Sequence, residues 1–279
     1  MSTTTATSSN AELSGRAWGA RARDWGDTEA QQVPTYEEAI RRAGIGAGTT
    51  VLDVGCGTGV FLRVAADHGA TVSGIDASAA LLEIARERVP AADLARGDLQ
   101  HLPYADDSFD VVCGFNAFFY ADDMVAALRE ANRVAKLGAP VVIQVFGRPE
   151  AFDLRRMKDV LARFAPPRRE RSGGEAASRD SGRVDPATLW QPSVLEALAT
   201  EAGLVPERAF DLQWAYEYAD EAELTRGMMS AGGFGAILGA ERQDAARAEI
   251  VEALAVCRTP DGGYRLENEW HYLIARAGS

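Results

Sequence analysis

Three glycines on alternate positions, Gly55, Gly57 and Gly59 in VLDVGCGTG (residues 51–59), end an apolar run of the kind that forms a buried strand. Glycine tolerates left-handed backbone and lets a ligand approach the main chain, while the free N–H groups of a following helix face whatever is bound. The bend is therefore expected to hold a nucleotide-like ligand. A dinucleotide loop is spaced G-x-G-x-x-G, and here one spacer residue is missing. Groups able to move a proton are few. His68 falls near a helix end and suits a dipole partner. His101 lies in the loop LQHLPY, whereas His271 in the last strand and Tyr216 and Glu217 in WAYEY are candidate bases by position only. Cys56, Cys113 and Cys257 lie too far apart for a C-x-x-C motif, and no metal-ligating spacing is present.

Those residues need a scaffold. From 49 to 147 short β-branched runs alternate with helical segments, the pattern of a parallel sheet covered by helices. Strands are expected near 50–54, 71–75, 92–96, 109–114 and 140–146, with helices near 58–68, 78–88 and 122–135. Open parallel sheets bind ligands beyond the carboxyl ends of their strands, which is where the glycine bend falls. Ahead of this core, 13–48 reads as a cap of one or two helices, after a Ser/Thr-rich tail over 1–12 expected to be disordered. WGARARDW places Trp18, Ala22 and Trp25 at i, i+4 and i+7, one face of a helix.

Past the core, 148–190 reads as an insertion or lid, a helix (EAFDLRRMKDVLARF) followed by an aperiodic Pro-, Gly- and Arg-rich stretch. Residues 191–279 return to order with SVLEALATEAGL as a helix, ERAFDLQWAYEY as a strand, helices across 220–230 and 241–257, and YRLENEWHYLIARA as the last strand. The segment MMSAGGFGAILGAE is expected to be a tightly packed helical turn, with a substrate-facing surface as the alternative.

The 279 residues are 47% hydrophobic, enough for a substantial core. A formal charge of −12 argues against a nucleic-acid partner, which needs a basic face. Reduced cytoplasm is the expected compartment, and neither a targeting peptide nor a membrane span is read from the sequence.

VLDVGCGTG resembles motif I of the class I S-adenosylmethionine-dependent methyltransferases. VSGIDAS, ARGDLQHLPYADDSFD and VVCGFNAFFYADD follow in that family's order over residues 49–147. The resemblance is strongest to the ubiquinone/menaquinone-biosynthesis-like small-molecule branch. It implies a Rossmann-like, doubly wound, mostly parallel seven-stranded α/β sheet with an antiparallel last strand. It further implies that S-adenosylmethionine is the cofactor and S-adenosylhomocysteine the product. Asp53, Gly55, Cys56 and Gly57 would then hold the methionine end, with Gly59 a further cofactor-binding residue, and Asp76 both ribose hydroxyls. Ala77 would lie against the adenine, Asp98 and the Leu99 N–H would pair with its edge, and Asn116 would sit beside the sulfonium. Phe118, Phe119 and Tyr120 either line the junction with the substrate or pack under the next helix, Tyr120 being a further catalytic candidate. Trp18 belongs to an aromatic helix that in this type closes over the cofactor.

A sulfonium methyl is already electrophilic, so alignment, which can supply roughly 7–11 kcal/mol, outweighs a general base at about 10²–10⁴-fold. The lack of an obvious base motif therefore does not exclude methyl transfer. The expected partner is a small-molecule methyl acceptor methylated at O, N or C, by a monomer or homodimer. The run from Arg155 to Arg171 reads as a solvated face, or else as a gatherer of anionic substrate. A same-fold enzyme performing cyclisation, isomerisation or decarboxylation, a nicotinamide dehydrogenase, and a non-catalytic binding module are the other readings.

Overall fold

The computed structural model describes residues 10–164, 184–234, 238 and 240–279. Its sheet has seven strands in the order β3-β2-β1-β4-β5-β7-β6: β1 (Thr50–Val54), β2 (Thr71–Asp76), β3 (Asp93–Arg96), β4 (Val111–Phe115), β5 (Pro140–Phe146), β6 (Val205–Tyr218) and β7 (Tyr264–Arg276). Neighbours from β3 to β5 pair in parallel, and β7 runs antiparallel to both β5 and β6. Strand residues alternate between two cores, as a sheet covered on both faces requires. Val51, Cys113 and Val142 pack on one side, and Leu52, Val54, Val112 and Val141 on the other.

Helices α4 (Val60–Asp67), α5 (Ala79–Arg88) and α6 (Met124–Val134) cover the parallel part. Ser78 caps α5 by accepting from the Leu81 N–H at 3.4 Å, and Asp123 caps α6 by accepting from the Ala126 N–H at 3.0 Å. These caps start each helix just past a strand's carboxyl end, so the loops there have defined positions.

The cap is three helices, α1 (Asn10–Gly19), α2 (Ala22–Ala30) and α3 (Val33–Ala43), instead of one or two. Asn10 to Glu12, expected in the tail, open α1, with the Asn10 side chain donating to the Tyr120 carbonyl at 2.5 Å. A break at Ala20–Arg21 puts Trp18 on α1 and Ala22 and Trp25 on α2, so the three do not share one continuous helix. The two indoles still meet edge to face at 4.7 Å.

The helix expected from 150 begins only at α7 (Met157–Phe164), after two 3₁₀ turns at Pro149–Ala151 and Asp153–Arg156. Side chains bonded to β7 divert this backbone from a continuous helix. Asn268 accepts from the Leu154 N–H at 3.1 Å, and Asp153 from the Glu267 N–H at 3.0 Å. Most of the Arg-rich stretch, 165–183, lies outside the described residues. Helices α8 (Val194–Glu201), α9 (Glu221–Ser230) and α10 (Ala240–Ala253) complete the chain, with a 3₁₀ turn at Ala255–Cys257 ending the helix expected over 241–257. Among the described residues no helix is long and apolar enough to cross a membrane.

Candidate active site

A cavity of about 980 Å³ opens beyond the carboxyl ends of β1, β2, β4 and β5, roofed by the cap. Its first half is polar. At the end of β1 the Gly55 and Cys56 N–H groups donate to the Ile75 carbonyl at 2.8 and 3.0 Å, bracing the glycine bend against β2. Gly55 has φ +81°, and a Cβ there would come within 2.6 Å of the Ala117 Cβ, so no other residue fits without a shift. Asp76 accepts from the Gly57 N–H at 3.0 Å through one carboxyl oxygen and from the Ser78 N–H at 2.8 Å through the other. Each oxygen keeps a lone pair for a ligand hydroxyl. Burial pushes Asp76 up, against the pull of these backbone donors.

Ala77, Gly97, Asp98 and Leu99 form the next stretch of wall, with one Asp98 oxygen engaged by the Gln100 N–H at 3.0 Å. The helix α1 sits directly on this side, since a Cβ on Gly15 would lie 2.5 Å from the Ala77 carbonyl oxygen. Asn116, at φ +52°, follows β4; its amide nitrogen donates to the Gln144 side chain at 3.1 Å, and Gln144 donates to the Tyr272 hydroxyl at 2.7 Å. That relay leaves the Asn116 carbonyl oxygen buried without a partner, as are Asp53 Oδ1 and Gln32 Oε1 on the same cavity. Burial, then the nearby Glu29 and Asp76 charges, holds Asp53 well above the usual carboxylate range.

The second half is apolar and aromatic. Gly147 N–H donates to the Glu269 carbonyl at 2.8 Å, and Arg148 pairs with the buried Glu269 carboxylate at 2.6 Å, fastening the exit of β5 to β7. Arg148 also keeps Glu269 below its ordinary value. The fastened turn carries Phe146 and Phe152, whose rings lie 5.2 Å apart, and Phe152 meets Trp270 edge to face at 5.3 Å. Tyr216, Trp190, Met157 and Met228 extend this wall. Trp270 is 2% exposed and its indole N–H has no partner.

The structure brings Asp53, Gly55, Cys56, Gly57, Asp76, Ala77, Asp98, Leu99, Asn116 and Trp18 around one cavity. Gly59 is not among the lining residues: it starts α4 at φ +76°, and a Cβ there would meet Ala85 at 3.0 Å, so helix packing is what requires it. His101 is exposed and His271 pairs with Asp211 at 2.6 Å; neither lines the cavity. His68 ends α4 and pairs with Glu37 at 2.7 Å. Tyr120 and Tyr216 do line the cavity, but burial pushes Tyr120 up to about 12 and Tyr216 well above its ordinary value, so neither phenol is a base near neutral pH. Met228, Ala231 and Gly232 put part of the glycine-rich MMSAGG segment on the cavity wall.

Sequence reasoning missed Glu29, Gln32 and Tyr36 in the cap and Phe146, Phe152, Trp190 and Trp270 in the second half. For Glu29 a signal existed only in hindsight, an acid on the face of α2 that buries Ala22 and Gly26. The distant aromatics had none.

The arrangement defines a nucleoside-binding α/β enzyme with an adjoining apolar chamber. The methyltransferase domain model matches residues 52–143. Malonyl-[acyl-carrier protein] O-methyltransferase of Erwinia pyrifoliae is 31% identical over 202 residues, covering 70% of this chain and 76% of the relative. Demethylmenaquinone methyltransferase of Tropheryma whipplei is 38% identical over 119 residues, 41% of this chain and 48% of the relative, so the chain spans about half of that protein. The solved structure of a Bacillus halodurans C-125 protein assigned as a methyltransferase shares the fold at TM-score 0.57 and 17% identity, covering 88% of this chain and 99% of that one. The chain belongs to the class I S-adenosylmethionine-dependent methyltransferases, in their small-molecule branch. S-adenosylmethionine is the cofactor, and the acceptor-rich wall around Asp53, Asp76 and Asn116 suits a ligand that brings hydroxyl and ammonium donors.

Proposed function

We propose that the protein methylates a largely apolar, ring-bearing small molecule held in the aromatic half of the cavity. The observation that carries this reading is the wall of Phe146, Phe152, Tyr216 and Trp270, in mutual ring contact and open to the same space as the polar half. Such a wall favours flat apolar rings by area and by edge-to-face contact. The indole N–H of Trp270 offers one hydrogen bond to an oxygen on the acceptor, and its desolvation penalty disfavours acceptors that leave it unpaired. Of the two relatives, the one named for demethylmenaquinone points to this kind of acceptor more than the one named for an acyl-carrier-protein substrate.

In this reading Asp76 holds the ribose hydroxyls, Asp98 and the Leu99 N–H hold the adenine edge, and Asn116 stands beside the reacting atoms, oriented through Gln144 and Tyr272. When bound, S-adenosylmethionine supplies an electrophilic methyl group. The protein's part is to aim the acceptor and keep out water, which the aromatic wall and the Trp18–Trp25–Tyr120 cluster both serve with ring surface. All three cavity tyrosines, Tyr36, Tyr120 and Tyr216, stay protonated, so they position and do not deprotonate.

Incubation with methyl-labelled S-adenosylmethionine and cell extract, followed by mass spectrometry, tests the reading. The label is expected in a ring-bearing product that partitions into organic solvent, with S-adenosylhomocysteine formed in step. Label confined to polar, acyclic products would overturn it, and acceptor turnover without S-adenosylhomocysteine would mean a reaction other than methyl transfer.

A further inference from the structure

The polar half of the cavity contains a carboxyl that belongs to no glycine-loop motif. Glu29, on α2 of the cap, is 5% exposed and lines the cavity beside Gly57, where a Cβ would come within 3.0 Å of both its carboxyl oxygens. Its Oε2 accepts from the Thr58 N–H at 3.0 Å and the Thr58 hydroxyl at 2.7 Å. Among the described residues its Oε1 receives no hydrogen bond. The nearest cation, Arg88, is spent on Thr58, donating to its carbonyl at 2.7 Å and to its hydroxyl. A buried acid thus reaches the cofactor loop from outside the core without a salt bridge of its own, an expensive arrangement unless something else meets it.

Independent of Glu29, the unsatisfied buried atoms on this part of the cavity are all acceptors: Asp53 Oδ1, Gln32 Oε1 and Asn116 Oδ1. Asp53 and Gln32 are 2% and 4% exposed. Native interiors rarely leave such oxygens alone, and a set of one sign of hydrogen-bonding character calls for a ligand group that only donates. Of the cofactor's groups, the ribose hydroxyls have Asp76, and the sulfonium has no proton to donate. The primary ammonium of the methionine end has three N–H bonds and a positive charge.

We propose that Glu29 joins Asp53 in binding the α-ammonium of the cofactor, making the cap part of the cofactor site and not only its cover. The inference stands whatever the methyl acceptor is. It also explains the pairing with Thr58: two donors on Oε2 fix the carboxyl's rotation and leave Oε1 for the ammonium. The charged and titratable groups facing Glu29 are Arg88, Asp53, Cys56, Asp76, Tyr36 and Tyr216. Burial outweighs the pull of Thr58 and Arg88 and raises Glu29 to about 7, so the carboxyl ionises in the range where an arriving ammonium would select the charged form.

Calorimetric titration tests this with two ligands, S-adenosylhomocysteine, which carries the amino-acid end, and 5′-methylthioadenosine, which lacks it. For Glu29→Gln at about pH 8 the affinity for S-adenosylhomocysteine is expected to fall about 10- to 100-fold, the size of a lost charged hydrogen bond, while that for 5′-methylthioadenosine changes less than about twofold. On the unaltered chain, which does not depend on the variant folding, S-adenosylhomocysteine binding is expected to tighten from about pH 6 to about pH 8 and 5′-methylthioadenosine binding to stay level. Equal loss for both ligands, or no loss for either, would make Glu29 a latch between cap and loop and overturn the proposal. A flat pH profile for S-adenosylhomocysteine in the unaltered chain would overturn it too.

Discussion

The two halves of the cavity are built on opposite plans. In the polar half the contacts come from segments at consecutive strand ends, Asp53–Gly57, Asp76–Ala77, Gly97–Leu99 and Asn116, and the unsatisfied atoms are acceptors. In the apolar half they come from Phe146, Phe152, Trp190, Tyr216 and Trp270, spread over more than a hundred residues of chain, and among the described residues the one unsatisfied atom is the Trp270 donor. The first half answers a fixed ligand with a fixed loop grammar. The second offers surface area and one free donor, so in the proposed reading its residues need only be large and ringed.

Changes in one half should leave the other's ligand alone, and the largest effect should come from Asp76. Asp76→Ala removes the proposed ribose acceptor and the anchor of the Gly57 and Ser78 N–H groups together. Calorimetry should show S-adenosylhomocysteine affinity reduced about 100-fold or more, from several charge-assisted bonds lost at once.

A second effect runs through pH. In the folded chain Glu29 keeps its proton up to about 7, against an ordinary value of 4.5, so the folded state binds the extra proton between those values. Its contribution to stability is full below about pH 4.5, declines above it and is gone once pH passes 7. That is at most about 3 kcal/mol. Thermal melts of the ligand-free protein should show Tm falling with rising pH across this window, and Glu29→Gln should flatten the fall.

In the other half, Trp270→Phe deletes the buried N–H while keeping a ring. The expected outcome is an acceptor KM raised about tenfold, the worth of one hydrogen bond, with S-adenosylhomocysteine affinity unchanged. Smallest of all, Asp98→Asn keeps a side-chain oxygen for the Gln100 N–H and removes only charge. Cofactor affinity should drop a few fold, about 1 kcal/mol or less, by calorimetry.

What the sequence disclosed follows the same division. Strands β1, β4 and β5 were legible because each is a short β-branched run buried along most of its length, and β2 and β4 also because the helix after each opens on its own cap, Ser78 and Asp123. Asp53, Asp76, Asp98 and Asn116 were singled out by the resemblance of the strand-end motifs to the family's, and the structure puts all four on the cavity. Gly59 was misread as a ligand contact because the requirement for glycine there comes from Ala85, on another helix. The break of the 150–164 helix was hidden for a like reason: Asn268 and Asp153 bond across to and from β7. Trp270 faces Phe146 only because the antiparallel register of β5 and β7 pairs those two positions, a relation no local pattern carries.

The division itself can be tested in a single calorimetric comparison of S-adenosylhomocysteine binding to the unaltered chain, Asp76→Ala and Trp270→Phe. One site per chain is predicted, weakened about 100-fold or more by the first substitution and unaffected by the second. Loss of binding in Trp270→Phe with retention in Asp76→Ala would contradict the account.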